Sequence, residues 1–199
     1  MRHLAFTAAT LATLVAASVT VAVEATRPFR LDVEGGALVA GSDVETDIGG
    51  SSVSVDPDVG PALSIGAGYA LNDYFEVGGA FHAASSDGDL YDSDVDYTAI
   101  TAGLRCYPLG RAVVVRPWLS VAGGWYHAEA DLNYISLFGP VDDDRSENGG
   151  GLNFGGGLDV PIGRRVSVGG AVRYHQTFGI FDDPGFLTTM VNVAVYFGE

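Results

Sequence analysis

The chain contains no lysine: all ten of its basic residues are arginine, set against 25 carboxylates for a formal net charge of −15. A protein so acidic repels nucleic-acid phosphates, which excludes DNA and RNA as partners. Cysteine is nearly absent as well. Cys106 stands alone, so no internal disulfide can form, and with no cysteine at the end of the N-terminal leader no lipid anchor is expected. Beyond residue 23 there is no apolar run of the ~20 residues a helix needs to cross a bilayer. Nor does any segment hold a sustained apolar stripe at i, i+3, i+4 and i+7. A membrane protein made from this chain must therefore span with strands, because lipid offers no partner to an unpaired backbone group.

What is present begins with an export leader. Met1, Arg2 and His3 make a short basic start, residues 4–23 are rich in Ala, Val, Leu and Thr without a charge, and Val23, Glu24 and Ala25 offer a small-residue cleavage site, with Ala22 as the alternative. Small residues and hydroxyls dilute the run relative to a membrane helix. The expected division is a signal peptide over residues 1–25 and a single β domain over residues 26–199.

Eight segments of β-branched and aromatic residues with period-two alternation follow, at about residues 29–40, 62–70, 74–83, 97–107, 113–128, 152–162, 166–177 and 187–197. Tight connections at 71–73, 108–111 and 163–165 alternate strictly with longer ones at 42–60, 85–96, 131–150 and 179–185. Transmembrane β-barrels combine short periplasmic turns with long outer loops in this way. The long connections hold 17 of the 25 carboxylates, whereas the tight turns carry Arg111, Arg164 and Arg165.

One face of every strand is free of charge, for example Leu31, Val33, Ile65, Val77, Leu104, Val121, Leu158, Val172 and Val193. The other face collects Arg30, Asp32, Glu34, Glu76, Arg105, Arg116, Asp159 and Arg173, four of each sign, together with His82 and His175. A soluble barrel would have to bury those eight charges at several kcal/mol per ion. A barrel with lipid outside and a polar lumen removes that cost. The fold expected is all-β: an eight-stranded antiparallel transmembrane barrel. Aromatic residues toward both strand ends (Phe29, Tyr69, Phe75 and Phe197; Phe81, Trp125, Phe154 and Tyr174) suit the two membrane interfaces.

Eight strands enclose an interior about wide enough for side chains to fill. The eight lumen charges are therefore expected to form an ion-pair network that plugs the barrel, with a gated narrow conduit as the alternative. Asp87 and Asp89, and again Asp92, Asp94 and Asp96, are spaced two apart like oxygen ligands, but a calcium loop starting at Asp92 would need Gly and Glu where Tyr97 and Gly103 stand. A solvated acidic surface is the expectation, with weak divalent bridging to lipopolysaccharide phosphates. Gly66-Ala67-Gly68 lacks the third glycine and helix of a dinucleotide site, and Gly149-Gly150-Gly151 lacks the lysine of a phosphate loop. No cofactor is expected.

The stretch Arg116-Pro117-Trp118-Leu119-Ser120-Val121-Ala122-Gly123-Gly124-Trp125, the run Leu152-Asn153-Phe154-Gly155-Gly156-Gly157-Leu158-Asp159, Val172-Arg173-Tyr174-His175 and the alternating final strand are together similar to the OmpA/OmpX-like family of eight-stranded outer-membrane barrels. The resemblance covers about residues 27–199 and implies the outer membrane of a Gram-negative bacterium, both ends in the periplasm, lipid and lipopolysaccharide as surroundings, and the barrel-insertion machinery as a partner. Members usually finish on an aromatic residue; here Phe197 is followed by Gly198 and Glu199. The peptidoglycan-binding domain of larger members has no counterpart in this sequence. Some eight-stranded barrels modify lipid A, and His175-Gln176-Thr177 is loosely similar to the His-x-Ser of a deacylase, but its hydroxyl is Thr and its face is the lumen. His127 and Glu129 could pair as base and orienter at the outer rim, without a serine in register. The expected role is structural or surface interaction, including an extracellular ligand or host surface met by the acidic loops. A narrow pore is the first alternative, and no enzymatic activity is expected.

Overall fold

The computed structural model describes residues 27–40, 44–48, 51–55, 59–88, 93–136, 139–180 and 185–198. The strands are β1 (Phe29–Ala40), β2 (Val44–Ile48), β3 (Ser51–Val55), β4 (Gly60–Ala70), β5 (Phe75–Gly88), β6 (Ser93–Cys106), β7 (Arg116–Ser136), β8 (Gly139–Pro161), β9 (Val166–Phe178) and β10 (Gly185–Phe197). Eight of them close a barrel in the order β1-β10-β9-β8-β7-β6-β5-β4, every contact antiparallel; β1 meets β10 from Phe29 opposite Phe197 to Ala40 opposite Phe186. Closure leaves no open edge within the membrane, which is what the hydrocarbon core requires. The short hairpin of β2 and β3 is a separate sheet inside the first long connection.

The turns follow from their residues. Asn72 Oδ1 accepts the backbone N–H of Tyr74 at 2.8 Å and of Phe75 at 2.9 Å, an Asx turn that starts β5. At the β8–β9 turn Gly163 takes a φ of 85°, the left-handed region open to glycine.

Three boundaries differ from the sequence reading. Within 85–96 and 131–150, expected as loops, the described residues continue as strand: β5 and β6 stay paired to Gly88 opposite Ser93, and β7 and β8 to Ser136 opposite Gly139. In these extensions the apolar-out pattern turns over: Asp96 and Glu129 are exposed while Val95, Ala128 and Ala130 are buried, so the lipid-facing signature ends while backbone pairing goes on. β7 starts at Arg116, not at 113, because the chain first turns at Gly110, whose N–H donates to the Tyr107 carbonyl at 2.9 Å. That connection, residues 107–115, is therefore longer than the tight turn expected.

Alternation sorts the two faces cleanly. In β1, Leu31 and Val33 are about half exposed, while the alternating Asp32 and Glu34 are buried at 4% and 0%. The same inversion runs round the barrel, with Ile65, Leu104, Leu119, Phe154 and Val191 outside and charges inside.

Candidate functional site

The interior is layered. Toward the turn end, Arg111 is buried and its Nη2 donates to the Arg27 carbonyl at 3.1 Å. Its guanidinium lies 5.9 Å from the Tyr107 ring and 5.4 Å from that of Tyr196, and Arg116 lies 5.8 Å from Tyr196 on its own account. Cations this close to aromatic faces gain electrostatic stabilisation.

The middle layer holds the ion pairs. Arg30 Nε donates to Glu76 Oε1 at 2.8 Å, and its Nη1 is 2.9 Å from Asp32 Oδ1, close enough for an ion pair although not aligned as a hydrogen bond. Arg173 grips Glu34 with a two-point fork, Nη2 donating to Oε1 at 2.7 Å and Nη1 to Oε2. Arg105 stacks 4.0 Å above the Trp118 ring, and its Nη1 is 3.9 Å from Asp159 Oδ2; Asn192 donates to the other Asp159 oxygen at 3.0 Å.

These pairs do not follow the strand ladder. In register Glu76 faces Arg105 and Asp159 faces Arg116, yet Glu76 reaches Arg30 on β1, beyond the intervening β4. Glycine makes the reach possible: a Cβ at Gly68 on β4 would sit 2.4 Å from Glu76 Oε1. Charge-assisted, two-point bonds of the Arg173–Glu34 kind are the strong ones. A cavity of about 60 Å³, lined among others by Arg30, Asp32, Glu76, Arg105 and Ser120, remains between them, room for a few waters.

Toward the loop end the lumen becomes aromatic. His82 and His175 meet with ring centroids 5.4 Å apart; His175 stacks on Phe186 at 4.5 Å, and Tyr97 packs against Phe186 at 4.9 Å.

All eight charges read from the sequence thus lie inside the barrel; Arg30, Asp32, Glu34, Glu76, Arg105, Asp159 and Arg173 pair by side-chain reach, whereas Arg116 donates to the Val113 carbonyl at 3.4 Å and lies by Tyr196. The sequence reading did not assign Arg111 or the aromatics Tyr107, Trp118, Tyr126 and Tyr196 to the lumen, where all five are buried. Trp118, Tyr126 and Tyr196 stand at positions of the charged face, so alternation carried a signal for them; Arg111 lies in a turn, where alternation says nothing.

Of the acidic candidates, Asp89 and Asp92 lie outside the described residues. Asp87 stands opposite Asp94 in register, Asp94 opposite Asp131, and Asp131 opposite Asp144. Asp96 is exposed and faces Glu129. Among the described residues no group of three His, Cys, Asp or Glu is arranged to hold a metal ion.

The two candidate catalytic arrangements differ in place. His175 and Thr177 are buried in the lumen, with the His175 nitrogens 3.1 Å from Tyr126 Oη and 3.3 Å from Thr188 Oγ1. His127 stands outside, two residues beyond Trp125 on the outer extension of β7. Its Nε2 lies 2.9 Å from Glu129 Oε1, its Nδ1 3.0 Å from Asn148 Oδ1, and its ring stacks on Trp125. The Glu129 hydrogen bond holds the imidazole pKa above its ordinary 6.5. With both nitrogens engaged, neither is free to activate a nucleophile.

Solved structures share this architecture. Neisserial surface protein A aligns with a TM-score of 0.60 at 19% identity, covering 85% of this chain and 97% of that chain. The outer membrane protein OprG of Pseudomonas aeruginosa aligns at 0.57 and 16% identity over 88% of this chain and 100% of that one. Ail, the attachment invasion locus protein of Yersinia pestis, solved with the heparin analogue sucrose octasulfate, aligns at 0.52 and 19% identity over 85% and 99%. At these identities the likeness establishes the fold. No curated protein sequence matches the chain. The sequence itself matches the outer membrane protein beta-barrel domain over residues 7–197, and with an inverted barrel around a charged lumen the chain belongs to that family of outer-membrane β-barrels.

Proposed function

We propose that this protein is a closed-lumen barrel that serves the outer membrane as a structural and surface-interaction element, without catalytic activity. The observation that carries the reading is the filled interior. Arg105 lies over Trp118, Arg30 and Arg173 are bound to carboxylates, and a cavity of about 60 Å³ lies among them. A hydrated ion needs a continuous polar path, and the aromatic layer of Tyr97, Phe186 and His175 interrupts it on the loop side.

The leader would be removed on export, leaving a chain that begins near residue 26. Insertion would use the barrel-assembly machinery, and the surroundings would be phospholipid within and lipopolysaccharide without. The outer extensions of β5 to β8 would be the recognition surface. Ail was solved with a sulfated polyanion. This chain instead concentrates carboxylates in its long connections, which favours cationic partners or contacts to lipopolysaccharide phosphates bridged by divalent cations.

Conductance of the refolded mature protein in a planar bilayer at neutral pH tests the reading, with the mobility shift of unheated samples on gels reporting the fold. A folded and silent barrel is expected. Discrete, reproducible channels would overturn it in favour of a narrow pore through the Arg30, Glu76 and Arg105 layer.

A further inference from the structure

We propose that His82 and His175 form an acid-sensitive latch across the outer half of the lumen. β5, which carries His82, and β9, which carries His175, are separated by three strands on either side, so they are opposite walls of the barrel. Their imidazoles nevertheless touch, at a centroid distance of 5.4 Å and an interplanar angle of 80°. The pair is thus a bar across the full width of the lumen.

The bar suits two neutral rings. His175 shares hydrogen bonds with two hydroxyls, Tyr126 and Thr188, and lies flat on Phe186. His82 Nε2 shares one with Thr101 Oγ1 at 3.1 Å, while its Nδ1 is buried and finds no hydrogen-bond partner among the described residues. Hydroxyls accept or donate as the tautomer requires.

The surrounding charges offer nothing to hold two imidazolium ions. β1 presents Glu34, β9 presents Arg173, and β6 and β7 present the phenols of Tyr97 and Tyr126; β4, β8 and β10 present no titratable group toward the pair. Glu34 is already bound at both oxygens by Arg173. If each ring takes a proton from water, three cations then share one committed carboxylate. Imidazole is the side chain whose charge changes in mildly acidic water. Mutual repulsion then parts the rings, lifts His175 from Phe186 and admits water to the outer half of the lumen.

The latch rests on the closed-lumen reading, and one reporter separates the two. The chain has two tryptophans, Trp118 and Trp125. Trp118 is 1% exposed inside the barrel, its ring 5.6 Å from the Arg173 guanidinium beneath the latch. Trp125→Phe therefore leaves a single lumen fluorophore, and acrylamide quenching of the refolded variant is read at pH 7.5 and pH 5.0, with the gel shift confirming the barrel at both. The quenching constant should be low at pH 7.5 and rise several-fold at pH 5.0. Adding His82→Gln and His175→Gln should flatten the response; if that variant does not fold, His82→Gln alone should at least halve the rise. An unchanged constant in the parent, or an equal rise in the Gln variants, overturns the latch. Strong quenching already at pH 7.5 overturns the closed lumen instead.

Discussion

At Val121 the ordinary preference of a protein surface is reversed. The side chain is 43% exposed, yet the medium it faces in the barrel wall is hydrocarbon. Val121→Arg near mid-strand is expected to cost roughly 2–4 kcal/mol, measured by urea unfolding from lipid vesicles. The adjacent Ser120 lies at the cavity, its hydroxyl buried and without a hydrogen-bond partner among the described residues. Ser120→Ala should therefore change stability by no more than about 0.5 kcal/mol, since no bond is lost. Equal losses at the two positions would contradict the assignment of faces. His127 offers a second residue-scale test. The hydrogen bond to Glu129 raises its pKa, so the contact contributes fully below the unfolded value of 6.5 and fades as pH rises through the folded value. An NMR titration of the imidazole should give a midpoint above 6.5, and Glu129→Gln should bring it down. A midpoint indifferent to that substitution would remove the contact.

Among the strands, small residues set how tightly neighbours coil. A Cβ at Gly124 on β7 would stand 2.0 Å from the Ile100 carbonyl oxygen of β6, while one at Gly35 on the lipid side of β1 meets nothing within 4 Å. Gly124→Ala is thus expected to cost about 1–3 kcal/mol through forced strand separation. Gly35→Ala should be neutral or gain up to about 1 kcal/mol, because it restricts the unfolded chain without a clash. Urea midpoints of the two variants compare them directly; similar values would mean that close approach at Gly124 does not limit closure. The same scale explains where strand reading failed. β7 and β8 were legible up to Ala128 and from Leu152, where lipid and lumen impose opposite polarities on alternate residues. Beyond them the row Asp94, Asp131 and Asp144 is strand without alternation, so a solvated ladder looked like a loop.

Taken whole, the barrel is tied across its interior by contacts that skip strands. The Arg173–Glu34 fork joins β9 to β1 over β10, and Arg30–Glu76 joins β1 to β5 over β4. Removing one member leaves a buried charge without its counter-ion. Glu34→Gln should cost about 3–5 kcal/mol, and Glu34→Gln with Arg173→Gln distinctly less than the sum of the single changes. A strictly additive double-mutant cycle would show the fork to be energetically idle. The sequence determined the export leader as an expectation, the eight spans, the inverted faces and the eight interior charges, because a period-two polarity pattern between two different media is written residue by residue. Only the tertiary structure decided which charges pair, that Arg111 folds back under Tyr196, and that His82 meets His175. Those contacts depend on strand stagger, on the width of the closed lumen and on side chains reaching past glycines, none of which is a property of any one segment.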